Sequence, residues 1–241
     1  MVGIGVSGAA GRMGRRIISL AKQDSSFALI FGLEVCDHNL LGEKIEDISI
    51  ISDYSEIKNC NCLIEFSTPQ ATLEHLSFAV KFKKSLVIGT TGFNQDELIK
   101  INQAASLIPI VLSPNMSVGV NVLFRITREA AKILKDHAIY LEEAHHIHKK
   151  DAPSGTAKKI AQILREEGFS INEDDIVPIR EGEIVGDHSV MFKSNLDELE
   201  ISHSAKTRDI FAKGALTAAK WVVGKPPGLY SMDDVLFGEK I

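Results

Sequence analysis

The sequence predicts an α/β protein in two domains, on three observations. In the first half, short apolar runs rich in Val, Ile and Leu alternate with helical patterns, the rhythm of a parallel sheet covered on both faces. A glycine cluster, GAAGRMG from Gly8 to Gly14, follows the first run directly and opens a helix, which makes the first domain Rossmann-like. After Asn115 the rhythm changes to a long amphipathic helix and then to strands better suited to antiparallel or mixed pairing. The expectation is a dinucleotide-binding domain at 1–117 and 208–241, with a smaller α+β domain at 118–207 built on a mixed sheet. The last stretch is assigned back to the first domain because domain termini often lie close together. A cleft between the two domains is expected.

The elements follow in order. GIGVSG at 3–8 reads as a strand and Arg12 to Lys22 as a helix. FALIFGLE at 27–34 is the next strand, and CLIEFS at 62–67 leads into a helix from Pro69 to Phe82, since proline suits a first helical turn. SLVIGTTG at 85–92 and IPIVLSPN at 108–115 continue the series. Beyond them come a helix from about Val120 to Leu134, the strand AIYLEEAHH, a helix from Ser154 to Glu167 and a polar connection. Two further strands are expected around Ser189 to Lys193 and Leu199 to His203, and the stretch from Arg208 to Phe237 reads as helical and then loop-like.

Composition narrows the function classes. The 241 residues are 44% apolar and 24% charged, with a formal net charge of -5, which argues against a general nucleic-acid binder. No apolar run reaches the roughly 18 residues that span a bilayer. The first residues lack the pattern of a signal peptide and read as mature structure. Three cysteines, Cys36, Cys60 and Cys62, fit neither CxxC nor a zinc knuckle, and a reducing cytoplasm follows as the expected location.

Gly8, Gly11 and Gly14 permit a tight turn and a close backbone approach, and the helix start behind them offers N–H groups to a pyrophosphate. The spacing GxxGxxG differs from the usual GxGxxG, and a purely structural strand-to-helix turn is the competing explanation. Glu34 lies 20 residues after Gly14, where an acid can hydrogen-bond the adenosine ribose hydroxyls. Val35 follows it in place of a basic residue, which favours NADH over NADPH, while Arg12, Arg15 and Arg16 leave dual use open.

The stretch EAHHIHKKDAPSGTA, Glu143 to Ala157, gathers three histidines and two lysines. Three readings compete: a solvated basic loop, a metal site, and an acid cluster beside an anion cradle. A metal needs three or four converging ligands, and two adjacent lysines repel a cation, so no metal is assigned. In a continuing strand His146 and His148 would share one face and His145 the other. Ser154 suits a helix N-cap, which puts the backbone N–H groups of Gly155 and Thr156 in a first turn that favours a carboxylate. Lys149 supplies a positive charge and a proton, histidine titrates near neutrality as a general acid, and Asp151 can orient a neighbouring base or brace the loop.

This stretch resembles the signature of the 4-hydroxy-tetrahydrodipicolinate reductases (long called dihydrodipicolinate reductases) of the diaminopimelate route to lysine. GAAGRMGR at 8–15, EFSTP at 65–69, VIGTTGF at 87–93, SPNMSVGVNV at 113–122 and the late stretches 208–214 and 228–236 resemble family segments in the same order, over nearly the full chain. The resemblance implies that His145 is the proton donor and Lys149 the second acid, with His146, Gly155 and Thr156 binding substrate. It implies cofactor contacts from Gly8, Ala9, Ala10, Gly11, Arg12, Met13 and Glu34. Gly89, Thr90 and Thr91, with Ser113, Pro114, Asn115 and Met116, would line the nicotinamide end, and Arg208 would lie near a hinge. The implied reaction is an NAD(P)H-dependent reduction of a cyclic unsaturated dicarboxylate, with loss of water, by a homotetramer without nucleic-acid or membrane partners.

One departure stands out: between Ile176 and His188 this chain has only VPIREGEIVGD, where many relatives carry a longer insertion. It keeps Arg180, Gly182, Gly186 and His188; assembly or loop closure is where a difference is expected. The rival functions are another two-domain NAD(P)-dependent reductase, a catalytically silent NAD-binding redox sensor, and a metal-dependent hydrolase.

Overall fold

The structure, a computed structural model, describes residues 1–238. The chain forms two compact units, Met1–Ser117 together with the chain from Phe211 onward, and Val118–Ile210.

The first unit opens with β1 (Val2–Ser7), α1 (Arg12–Lys22), β2 (Phe27–Leu33), β3 (Lys44–Ile45) and β4 (Ile48–Ile51). It continues with β5 (Cys62–Glu65), α2 (Pro69–Phe82), β6 (Ser85–Ile88), α3 (Gln95–Ala105) and β7 (Pro109–Leu112). The second unit then contributes α4 (Val118–Ile133), β8 (Ala138–His145), α5 (Gly155–Glu166), β9 (Ile176–Arg180), β10 (Gly186–Lys193) and β11 (Glu198–Ala205). The chain finishes with α6 (Asp209–Val222), β12 (Gly228–Tyr230) and α7 (Met232–Phe237).

Strands β12-β7-β6-β5-β1-β2-β4-β3 form one sheet, parallel throughout except for the final β4–β3 pair. Side chains alternate across it. Ile4, Val6, Cys62, Ile64, Val87 and Val111 meet α1 and α6 on one face, while Leu63, Leu86, Ile88 and Ile110 meet α2 and α3 on the other. Because β1 connects to β2 on one side and β5 lies on the other, the strand order reverses at β1. The carboxyl ends of β1, β2 and β5 therefore flank the switch point at which such sheets bind ligands.

Helix α2 covers the predicted residues, with Thr68 accepting from the Ala71 N–H as N-cap and proline in the first turn. The C-terminal stretch departs from its loop-like reading. Gly228–Tyr230 pairs in parallel with β7, and Ser231 opens α7 with a capping box. Three residues that include glycine are too few to display a strand period.

In the second unit the order is β11-β10-β8-β9, with β9 parallel to β8 and the other pairs antiparallel. Helices α4 and α5 cover its inner face through Leu123, Ala131, Ile160, Ala161 and Leu164, packed on Leu141, Ile176, Val190 and Phe192. The predicted polar connection contains β9, which carries Pro178; at the sheet edge a missing backbone N–H is tolerated. No helix among the described residues is long and apolar enough to cross a membrane.

Candidate active site

The histidine stretch begins inside β8 and ends at α5. Leu141, Glu143 and His145 alternate onto the buried face, so two residues of spacing put the Glu143 carboxylate and the His145 ring side by side. The Glu143 Oε2 contacts His145 Nδ1. Its Oε1 accepts from Arg180 Nη2 at 2.8 Å and from the Ser154 N–H at 3.2 Å. Arg180 stands opposite His145 in the β8–β9 register and also donates to the Asp151 carbonyl at 2.7 Å, which ties the loop after β8 to the same carboxylate.

With Nδ1 engaged by Glu143, Nε2 is the ring atom left for other work. It faces Gly186, where an added Cβ would come within 3.0 Å of it. A side chain there would crowd the atom; glycine keeps the approach clear. His188, opposite Glu143 on β10, packs edge-to-face on His145 with ring centroids 5.3 Å apart. The Ser154 hydroxyl accepts the Ala157 N–H as the cap of α5 and lies 3.0 Å from His188 Nε2, to which it can donate.

The electrostatics follow from burial and these partners. Burial works to raise the Glu143 carboxyl, but the Arg180 hydrogen bond and the nearby His145 and Arg180 charges outweigh it, and its pKa lies below the ordinary range. His145 is pushed down by burial and by the Lys149 and Arg180 charges, against the pull of Glu143. His188 is lowered to about 4, mainly by burial and then by His145, so it is neutral at pH 7. Lys149 grips both Asp151 carboxylate oxygens at 2.7 and 2.6 Å and is partly exposed. The first turn of α5 carries no acidic side chain of its own, and the nearest carboxylate is that of Glu143 on the Ser154 N–H.

Glu143, His145 and His188 also offer ligand atoms within 4.8 Å of one another. The guanidinium already on the Glu143 carboxylate occupies the place of a cation, and the arrangement suits a histidine oriented by a carboxylate better than a metal centre. The strand stops at His145, so the expected alternation of faces does not extend to His146 and His148. Those two rings lie 6.2 Å apart because the chain turns there, with the Lys149 N–H on the His146 carbonyl.

The first unit gathers the predicted dinucleotide residues around the carboxyl ends of its strands. Gly8 has φ +69°, and an added Cβ would meet the Phe66 carbonyl oxygen at 2.3 Å; at Gly14 it would meet the Gly8 oxygen at 2.1 Å. Gly11 caps α1 with no side-chain hydrogen bond, and no acid sits in the first turn that Arg12 and Met13 begin. An anion fits this cradle. Ala9 is fully buried beneath it, and the Ala10 N–H donates to Glu34 Oε1 at 2.7 Å, so the acid at the end of β2 braces the loop.

Gly89, Thr90 and Thr91 follow β6, with the Gly89 N–H on the Glu65 carbonyl and Thr90 buried. Ser113, Pro114, Asn115 and Met116 follow β7; Ser113 Oγ donates to the Asn115 carbonyl, and α6 packs Gly214 so tightly on Met116 that a Cβ would overlap its carbonyl. Sequence reasoning gave no role to Glu143, Arg180, Gly186 or His188. The i, i+2 spacing of Glu143 and His145 in a strand was the available signal; the other three needed the sheet register.

Comparison with known proteins identifies the family. The model described as dihydrodipicolinate reductase, N-terminus, matches residues 2–116, and the one described as dihydrodipicolinate reductase, C-terminus, matches residues 119–236. A 4-hydroxy-tetrahydrodipicolinate reductase from Aquifex aeolicus is 43% identical, with 96% of this chain and 97% of that protein covered. Its counterpart from Methanoregula boonei is 40% identical with both chains fully covered. Among solved structures, the dipicolinate-bound dihydrodipicolinate reductase from Paenisporosarcina sp. TG-14 superimposes with a TM-score of 0.86 at 20% identity, covering 98% of this chain and all of that one, a likeness of fold. Matched along both of its halves, the chain belongs to the dihydrodipicolinate reductase family.

Proposed function

We propose that the protein reduces 4-hydroxy-tetrahydrodipicolinate to tetrahydrodipicolinate with loss of water, using a reduced pyridine nucleotide, in the diaminopimelate route to lysine. The observation that carries this reading is His145, held at Nδ1 by buried Glu143 and open at Nε2 toward Gly186, at the start of the lysine-bearing loop that leads into α5. His145 delivers a proton from Nε2 to the reduced ring, and Lys149 is the second acid. A substrate carboxylate rests on the first-turn amides of α5 at Gly155 and Thr156, with His146 beside them. Holding a dicarboxylate at its charged ends fixes the ring for reaction, an orientational gain that adds to acid catalysis.

The nucleotide supplies the hydride when bound. Gly8, Ala9, Ala10, Gly11, Arg12 and Met13 hold its pyrophosphate, and Glu34 takes the adenosine ribose. Thr90 and Thr91 with Gly89, and Ser113 to Met116, line the nicotinamide end. NADH is the favoured cofactor, because half-exposed Val35 stands where a base would greet the extra phosphate of NADPH. A homotetramer forms on the second unit's sheet, whose outer face carries Tyr140, Val177 and Met191. The buried free thiols Cys60 and Cys62 suit a reducing cytoplasm.

The test follows nucleotide oxidation by absorbance, with substrate generated from pyruvate and aspartate semialdehyde by the preceding synthase, and NADH and NADPH side by side. Synthase-dependent oxidation, faster with NADH, is the expected result. Folded protein that oxidises neither nucleotide with a verified substrate supply overturns the reading.

A further inference from the structure

The first unit buries a second carboxylate–histidine pair that the proposed chemistry does not use. Glu65 ends β5 with no exposed side-chain surface, and its Oε1 lies 2.7 Å from Nδ1 of His75 on α2. His75 Nδ1 is also 3.3 Å from Ser7 Oγ at the end of β1, while its Nε2 is buried with no hydrogen-bond partner. Tyr54 closes the site with its ring centroid 4.4 Å from that of the imidazole. A polar pair is costly to bury, and an apolar pair of similar volume would fill the space at less cost. Its position suggests what it does.

From Glu65 a chain of hydrogen bonds runs to the ligand-facing loops. Ser67 Oγ donates to Glu65 Oε2 at 2.9 Å, the Ser67 N–H donates to Thr90 Oγ1 at 3.1 Å, and Thr72 Oγ1 donates to the same Thr90 oxygen at 3.1 Å. The segment 65–67 touches both halves of the switch point. The Phe66 carbonyl presses on Gly8, the Phe66 ring covers Gly89, and the Gly89 N–H returns to the Glu65 carbonyl. With the pyrophosphate on the glycine loop after β1 and the adenosine ribose at Glu34 after β2, the other half of a dinucleotide extends over the ends of β5 and β6, where Ser67 and Thr90 lie.

We propose that Glu65 and His75 are positioning residues for the nicotinamide half of the dinucleotide, acting through Ser67 on Thr90. The inference rests on the reading of this unit as a dinucleotide site. The pair holds Ser67, and Ser67 with Thr72 holds the Thr90 side chain in one rotamer, so the site is already ordered when the nucleotide arrives.

The test compares the affinities of NADH and of ADP-ribose, which lacks the nicotinamide, in the full-length protein and in the variants His75→Leu, His75→Gln and Ser67→Ala. The expected result is that His75→Leu and Ser67→Ala weaken NADH about tenfold, the scale of one lost charge-assisted hydrogen bond, while ADP-ribose stays within about twofold. His75→Gln, which can still donate to Glu65, restores most of the NADH affinity. Equal weakening of both probes marks a merely structural pair and overturns the proposal, as does unchanged NADH affinity. If His75→Leu does not fold, Ser67→Ala decides alone, since it leaves the buried pair intact. Wild-type protein that binds neither probe overturns the dinucleotide reading itself, a different result from equal weakening.

Discussion

The protein buries a glutamate–histidine pair in each of its two units, and the surroundings of the two pairs give them opposite properties. Glu65 and His75 lie among hydroxyl groups, Ser67 on the acid and Ser7 on the imidazole, closed by Tyr54. Glu143 and His145 lie among charges, with Arg180 on the acid, Lys149 near the ring, and a glycine where a side chain would block Nε2. In the sealed pair the second ring nitrogen is buried without a hydrogen-bond partner. The charged one leaves a ring nitrogen, oriented by its partner, facing Gly186. A carboxylate beside a histidine is thus not a catalytic signature in itself; access to the second nitrogen and the charge around the pair decide.

Substitutions can break this contrast. The largest effect is expected at His145: alanine there should lower turnover by about 10²–10⁴, the usual contribution of a general acid, while the same change at His75 should act chiefly on nucleotide affinity. Steady-state kinetics with both substrates varied separates the two, and a comparable loss of turnover at His75 would erase the distinction.

Next in size is an acid sensitivity contributed by the buried histidines of the second unit. Folded His188 titrates at about 4, so an unfolded chain with a histidine near 6.5 binds protons that the folded one refuses. That contribution is complete above about pH 6.5 and is lost as pH falls toward 4, on the order of 3 kcal/mol. His145 and His203, also lowered chiefly by burial, act in the same direction. Denaturant unfolding across this window should show the loss, and His188→Gln should flatten it.

Glu143→Gln sharpens the comparison from the acid's side. It removes the charge that raises the His145 pKa, so the alkaline fall in kcat/KM should move to lower pH, with turnover reduced by about 10- to 100-fold. A profile that does not move would detach Glu143 from His145. The smallest effect is expected at Ser154, where alanine removes the cap of α5 and the hydroxyl beside His188. Thermal unfolding should report a loss of about 1 kcal/mol.

Much of the architecture was legible because its signals are local. The apolar runs of β1, β5, β6 and β7, the proline at the start of α2 and the serine before α5 each act within a few residues. The glycine loop and the HHxHK stretch also stand out in one dimension. Other features were not legible because they exist only through pairing. β9 is a proline-bearing edge strand, recognisable once β8 lies beside it. Arg180 reaches Glu143 from 37 residues away, and His188 stands opposite it in the β8–β10 pair. Glu65 and His75 stand ten residues apart at the end of a strand and on the buried face of a helix, and nothing in the linear sequence brings them together.

The central claim is that His145 is the proton donor, and the pH dependence of kcat/KM for wild type beside His145→Gln tests it most directly. The acid must be protonated in the free enzyme, and burial holds His145 below the ordinary value of 6.5. Wild-type kcat/KM should therefore fall as pH rises through a value under 6.5, and that fall should vanish from the residual activity of the variant. A variant that keeps the same fall at the same pH would contradict the account and assign the titrating group elsewhere.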